Sequence, residues 1–290
     1  MQLLVVLNPA AGRRKRALLD LTLAYLKVRG WSVDLYQTRA AGDAQDYVQS
    51  YSGSASIVIA AGGDGTVNEV INGLSARQVP LTLAIIPLGT TNVVARELRL
   101  PQSAKALASR IHEGSTRLCY WPTVNGRRLA FSLGVGFDAA VVGAVDLAIK
   151  KRFGKLAYGW AAIKPLFRWR GRGYRVVADG VEYDADSLLV SNGCYYAGRY
   201  VIAREMTLQR NAFQVVLIKA SSPGSLLAAL WSLPFGRLEK NPRVRSVTAS
   251  HLSVERLNPE ERLQLDGDVW GALPVTVSCA AQGMPVICGP

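Results

Sequence analysis

Several things are scarce in this chain of 290 residues, and each scarcity removes a class of function. Its four cysteines, Cys119, Cys194, Cys279 and Cys288, are far apart and form no C-x-x-C pair, which excludes a zinc ribbon and a disulfide framework and suits a reducing compartment. There are only two histidines, His112 and His251, and neither has a recognisable Ser or Cys partner, so a hydrolase triad is not indicated. No run is long and apolar enough for a membrane span: the best stretch, Leu129 to Ile149, is broken by Asp138, Asp146 and glycines. Met1 to Leu7 is apolar but short and without a basic leader, so it reads as a first strand. Acids are also short, 21 against 34 Lys plus Arg, and the formal charge of +13 favours an anionic partner: nucleotide phosphate, anionic lipid or nucleic acid. The Walker pattern G-x-x-x-x-G-K-[ST] is missing as well, and Gly63 to Asn68 lacks the last glycine of the dinucleotide fingerprint. Gly134-Val135-Gly136-Phe137-Asp138-Ala139 matches that fingerprint by letter but sits in the wrong surroundings, as described next.

What is present is organised around Ala60-Ala61-Gly62-Gly63-Asp64-Gly65-Thr66-Val67-Asn68-Glu69-Val70, an apolar strand running through a glycine turn into a helix. Three glycines around one Asp imply a sharp turn or the close approach of a ligand to the backbone. Thr66 and Glu69 have capping-box spacing, so the helix is predicted to begin at about Val67 with Val67, Val70, Ile71 and Leu74 on its buried face. Its N-terminus would then face the turn as an anion site. Around this unit the first 118 residues alternate strands (Leu3 to Leu7, Trp31 to Tyr36, Ile57 to Ala60, Leu81 to Ile86) with helices (14–28, 44–50, from 67, and from Asn92 to Pro101). This predicts an α/β domain with a parallel sheet, whose turns Asn8 to Gly12, Gly62 to Thr66 and Gly89 to Asn92 gather at the carboxyl edge. From about residue 119 short alternating runs take over, and a β-rich second domain over 119–290 is expected.

Three ordered motifs carry a resemblance: Asn8-Pro9-Ala10-Ala11-Gly12, then Gly62 to Leu74, then Pro87-Leu88-Gly89-Thr90-Thr91-Asn92-Val93-Val94-Ala95-Arg96. Together they are similar to the diacylglycerol kinase catalytic domain family, which includes bacterial lipid kinases and sphingosine kinases. The likeness continues through Gly134 to Ala139, Arg152-Phe153-Gly154-Lys155-Leu156-Ala157-Tyr158 and Leu265-Asp266-Gly267-Asp268. The resemblance implies an α/β nucleotide-binding domain followed by a β-sandwich domain, with the active site between them. It implies ATP and Mg²⁺ as cofactors, with ATP on Asn8, Thr38, Gly62, Gly63, Asp64, Gly65, Thr66, Val67, Asn68 and Thr90, and Mg²⁺ on Asp64. Arg13, Arg14 and Lys15 are basic enough to neutralise nearby phosphate charge. The hydroxyl of Thr66 cannot easily serve both as helix cap and as phosphate ligand.

The resemblance also implies catalytic roles for Asp268, Asp64 and Asp138. Asp268 stands where the family has a Glu that acts as base, one methylene longer, and Asp138 stands where it has an acid near the substrate hydroxyl. The family's Asp-Gly turn ahead of Phe213 to Ile218 is replaced by Arg210-Asn211, and Arg cannot ligate a cation, so that structural Mg²⁺ site is not carried over. The expected activity is phosphoryl transfer from ATP to diacylglycerol or a related lipid by a cytoplasmic, peripherally membrane-associated protein. Its partner would be a lipid at an anionic membrane surface; nucleic acid is not expected, and a homodimer is allowed. The rivals are a soluble nucleotide kinase of the NAD kinase type and a lipid-binding regulator with weakened catalysis. From Lys150 to Arg175 nine Lys or Arg, no acid, and six aromatics alternate, a pattern that suits an anionic membrane, nucleic acid or a solvated basic face. Leu226 to Phe235 reads first as a core helix and second as a membrane contact.

Overall fold

A computed structural model describes residues 1–11, 15–145, 156–256 and 261–289. Gly12, Arg13, Arg14 and the stretch Arg152-Phe153-Gly154-Lys155 lie outside the described residues. The chain forms two units, Met1–Trp121 together with Ala281–Pro290, and Pro122–Ala280.

The first unit carries β1 (Gln2–Leu7), α1 (Arg16–Val28), β2 (Ser32–Gln37), α2 (Asp43–Ser50), β3 (Ile57–Gly62), α3 (Asp64–Ser75), β4 (Thr82–Pro87), α4 (Val93–Glu97), α5 (Ala104–Glu113) and β5 (Thr116–Cys119). Strands β2, β1, β3 and β4 lie side by side in parallel. Every residue of β3 is buried, as a strand covered on both faces demands. One face packs Leu3, Val5, Ile59 and Ile86 against Leu19 and Leu26 of α1 and Ala108 and Ile111 of α5. The sixth strand comes from the end of the chain. Met284–Ile287 enters between β4, parallel to it, and β5, antiparallel to it, so the expectation of a second domain running unbroken from 119 to 290 is corrected: its last residues belong to the first sheet.

Two helix boundaries also differ from expectation. The helix predicted to run from Asn92 to Pro101 stops at Glu97, and Arg99 takes a positive φ of 51° before Pro101. A separate α5, not anticipated, then starts from Ser103, whose side chain accepts from the N–H of Ala106.

The second unit contains β6 (Thr123–Val124), β7 (Arg127–Arg128), β8 (Ser132–Val135), α6 (Phe137–Gly143), α7 (Leu156–Phe167), β9 (Tyr174–Ala178), β10 (Val181–Ala185), β11 (Ser187–Ser191), β12 (Tyr195–Tyr196), β13 (Tyr200–Val201), β14 (Phe213–Ile218), α8 (Pro223–Leu230), β15 (Val244–Ala249), β16 (His251–Glu255), β17 (Arg262–Leu265), β18 (Asp268–Ala272) and β19 (Val275–Ser278). Two six-stranded sheets, β10-β9-β16-β19-β6-β7 and β15-β14-β11-β8-β17-β18, form a sandwich. Alternate residues of each turn inward: Leu188, Val190, Val215 and Leu217 meet Tyr174, Val176, Leu252 and Val254 in one core. The outward residues Leu189, Val216 and Ile218 are covered in turn by Trp169, Met206, Leu226 and Ala229, which is what seats α8 on the outer face.

Candidate active site

At the carboxyl edge of the first sheet the three turns meet through backbone. The N–H of Asn8 donates to the carbonyl of Ala61, and the N–H groups of Leu88 and Gly89 donate to the carbonyl of Gly62. Gly63 and Gly89 touch at their Cα atoms: a Cβ on Gly89 would lie 2.6 Å from the Cα of Gly63, and one on Gly62 would lie 2.3 Å from Oγ1 of Thr66. The glycines are thus required by packing of the turns, independently of any ligand. Side chains complete the knot. Asn8 Nδ2 donates to Thr66 Oγ1 at 3.3 Å, Asn92 Nδ2 donates to the Gly89 carbonyl at 2.7 Å, and Lys15 Nζ donates to the same carbonyl at 3.0 Å. Thr38, after β2, joins by donating its N–H to the carbonyl of Leu7, and Thr90 is exposed on the third turn.

The helix after the turn begins three residues earlier than predicted, at Asp64, with Gly63 as its N-cap and no side chain capping it. The expected Thr66–Glu69 capping box is therefore overturned. Glu69 instead accepts from the N–H groups of Gly42 and Ala44 and secures the start of α2, while the Thr66 hydroxyl faces Asn8. The conflict over Thr66 disappears with this correction. An N-terminus that starts on a glycine leaves its first-turn donors for an anion. Gly65 is exposed, and the space where its Cβ would stand is open, so a phosphate can reach the backbone there. Val67 and Asn68 are buried and hold α3 from below.

Asp64 is half-buried at the head of α3, and its Oδ1 accepts from the N–H of Val94 in the first turn of α4 at 3.3 Å. One carboxylate thus braces two helix N-termini. Among the described residues no cluster of three His, Cys, Asp or Glu forms a metal cage. A single carboxylate beside a phosphate site does fit Mg²⁺, which binds through one or two carboxylates, substrate oxygens and water.

In the second unit the expected acids separate into three different environments. Asp266 and Gly267 are the two central residues of the β17–β18 hairpin, at φ of 51° and 87°, as a type I′ turn requires. The Asp266 carboxylate is committed to the fold: it accepts from the N–H groups of Ala130, Phe131 and Ser132 at 2.8, 2.8 and 3.0 Å. Asp268, the first residue of β18, is exposed. Asp138 is in the first turn of α6 and buried. Gly136, at φ 86°, turns β8 into α6, and Gly134 makes room for the Asp138 carboxylate, since a Cβ there would lie 2.0 Å from Oδ2. Tyr196 donates its hydroxyl to Oδ1, whereas Oδ2 makes no well-formed hydrogen bond. Burial raises the Asp138 pKa above the usual carboxylate range, and the Tyr196 and Gln264 side chains offset this only in part. Asp138 is therefore an interior carboxylate. The dinucleotide-like lettering around it also lacks the necessary setting, because β8 pairs antiparallel with both β11 and β17.

Residues 2–120 match the model of the diacylglycerol kinase catalytic domain, and residues 132–288 match that of the YegS C-terminal NAD kinase beta sandwich-like domain. The chain belongs to the diacylglycerol kinase family. It is 28% identical over 275 residues to a diacylglycerol kinase of Staphylococcus saprophyticus, covering 93% of this chain and 90% of that protein. A diacylglycerol kinase of Staphylococcus aureus is 26% identical over the same length, covering 93% and 87%. The structure of a diacylglycerol kinase from Bacillus anthracis superposes with a TM-score of 0.81 at 24% identity, covering 100% of this chain and 97% of that one, which shows the shared fold. Membership makes the chain a lipid kinase in general terms. Sequence reasoning missed Lys15 as a tether between turns and missed Tyr196 and Gln264 beside Asp138; the latter two lie 58 and 126 residues from it in sequence and left no local signal.

Proposed function

We propose that this kinase transfers the γ-phosphoryl group of ATP to the free hydroxyl of diacylglycerol or a related lipid, with Mg²⁺, as a cytoplasmic protein attached peripherally to the membrane. The observation that carries the reading is the Gly63–Gly89 contact: it brings an α-helix N-terminus without a side-chain cap, an open backbone at Gly65 and the Asp64 carboxylate to one strand edge. That is an arrangement for positioning a polyphosphate, and positioning with charge neutralisation is most of what phosphoryl transfer requires. Asn8, Thr38, Thr66 and Thr90 line the same edge, and Asp64 would hold Mg²⁺, which when bound screens phosphate charge.

Asp268 is assigned as the base that accepts the proton of the lipid hydroxyl, its exposure leaving it accessible to substrate. Asp138, whose Oδ2 is shut off from solvent, is assigned a positioning role through the Tyr196 hydroxyl that it holds. The test is transfer of label from γ-labelled ATP to lipid in mixed micelles, with the products separated by chromatography. Labelled phosphatidic acid or a related phospholipid is the expected product. Transfer to NAD in place of lipid, or ATP and lipid binding without turnover across a lipid-extract panel, would replace this reading.

A further inference from the structure

We infer that α7 and α8 together form the face by which the second unit docks on an anionic bilayer, with Trp160, Ile163 and Phe167 of α7 and Leu227, Trp231 and Phe235 of α8 and the turn after it entering the interface. The inference deepens the lipid-kinase reading by assigning its membrane contact to particular residues. On α7, Trp160, Ile163 and Phe167 are spaced i, i+3 and i+7 and share one stripe, exposed by 74%, 45% and 76%. The opposite side of that segment carries Leu166 and the buried Trp169, which pack into the core under the outer sheet. On α8, Leu226 and Ala229 point to the same core, while Leu227, Trp231 and Phe235 are exposed by 50%, 70% and 63%. The Trp231 and Phe235 rings lie 6.4 Å apart, and α7 and α8 touch. Among the described residues every exposed Trp and Phe belongs to these two stripes. Scattered exposed apolar residues need no explanation, but two adjoining apolar stripes do.

Charge selects the occupant. Lys164 is one helical turn on from Trp160 and Arg168 directly follows Phe167, and with Arg172 they line a cavity of about 330 Å³ walled by Ala140, Pro165 and Trp169. Arg172 is paired with Glu261, so the net charge there comes from Lys164 and Arg168, both exposed. From 156 to 175 the chain has five Lys or Arg and no acid, and from 204 to 245 it has seven against Glu205 and Glu239. Arg204 donates to the carbonyl of Gly236 and so holds another cation next to Phe235. Trp and Phe beside a cationic rim suit the boundary between acyl chains and anionic headgroups. Nucleic acid would use the rings and cations but gives no reason for the aliphatic Ile163 and Leu227 within the stripes. A second copy of this basic chain would meet like charge.

The test is co-sedimentation of the full chain with vesicles of phosphatidylcholine alone or mixed with phosphatidylglycerol, without ATP. The wild type is expected to partition onto the mixed vesicles and to be released by salt. Trp160→Ser with Trp231→Ser should lower partitioning roughly tenfold or more, from lost apolar burial. Lys164→Gln with Arg168→Gln should lower it roughly 25-fold, as about 1 kcal/mol per cation near the headgroups implies. Both double variants should keep the wild-type melting temperature, because all four side chains are exposed. Unchanged partitioning in both overturns the inference. So does a wild type that ignores vesicles but binds RNA, or one that forms a dimer which Trp160→Ser with Trp231→Ser dissolves. Phosphorylation of lipid in detergent micelles separates the two readings. Intact micellar activity with no vesicle binding sinks the docking face alone, and vesicle binding with no lipid phosphorylated sinks the lipid-kinase reading alone.

Discussion

The strand edge of the first unit and the acid-bearing loops of the second answer to different physics. At the edge, the proposed function rests on backbone: glycines let three turns touch, and the side chains of Asn8, Asn92 and Lys15 tie the turns to one another. In the second unit it rests on carboxylates, and three with similar sequence credentials have three fates. Asp266 is spent on three backbone N–H groups, Asp138 is buried against Tyr196, and Asp268 is exposed at the head of a strand. The lesson is that a motif built from glycine constrains the structure by sterics alone, whereas a motif built from aspartates acquires its meaning from partners elsewhere in the chain.

The largest effect that would break this contrast is at Asp64, the carboxylate at the head of α3 on the backbone-built edge. Asp64→Ala should reduce lipid phosphorylation by roughly 10³-fold or more through lost charge and positioning. It should also cost about 1 kcal/mol by removing the acceptor from Val94. Asp64→Asn keeps an oxygen for that N–H, so thermal melts and rates together separate the two contributions; an Asn variant as active as wild type would mean that Asp64 only braces helices. Next is the pair flanking Gly267. Asp268→Asn should cost on the order of 10²- to 10⁴-fold in turnover with little change in stability. Asp266→Ala should instead destabilise by on the order of 3 kcal/mol, leaving three buried N–H groups without their acceptor. If denaturant titration and kinetics gave the opposite pattern, the two aspartates would exchange roles. Gly89→Ala follows, with about 1–3 kcal/mol lost to the clash with Gly63, read as a lower melting temperature together with weaker ATP binding.

The smallest effect concerns Asp138. Because burial raises its pKa in the folded state, the folded protein holds this proton at pH values where the unfolded chain, with its value near 3.8, has released it. Stability from this group is therefore fully present below that value and declines as pH rises through the folded pKa. Asp138→Asn removes the titration, so its melting temperature relative to wild type should climb as pH rises above 3.8. A pH-independent difference would show that the carboxylate is solvated after all.

How far the sequence reached follows from the same contrast. The parallel sheet, the turn at Gly62 to Thr66 and the β-rich character of the second unit were legible because period, glycine and strand spacing are local; its sandwich form came from the family resemblance. The start of α3 was misplaced because Thr66 and Glu69 mimic a capping box while Gly63 does the capping, and what Glu69 actually serves is α2, over twenty residues away. The break between α4 and α5 was missed although Pro101 and Ser103 mark it. For Asp138 no local pattern could have shown that Tyr196 and Gln264 close over it. The stretch from Leu226 to Phe235 was half legible: periodicity gives two faces to a helix, and only the sheet beneath decides that Leu226 goes in and Trp231 stays out.

The strand Met284–Ile287 gives the chain a history as well as a shape. Until it arrives, β5 has no hydrogen-bonded neighbour and β4 is an open edge, so a nascent chain that has reached Trp121 carries a sheet ready to pair with whatever strand it meets. The whole second unit, Pro122–Ala280, must be synthesised before the correct partner exists, and the first unit is completed last although its motifs are made first. During synthesis this kinase is a protein with an unpaired edge, one that Met284–Ile287 closes.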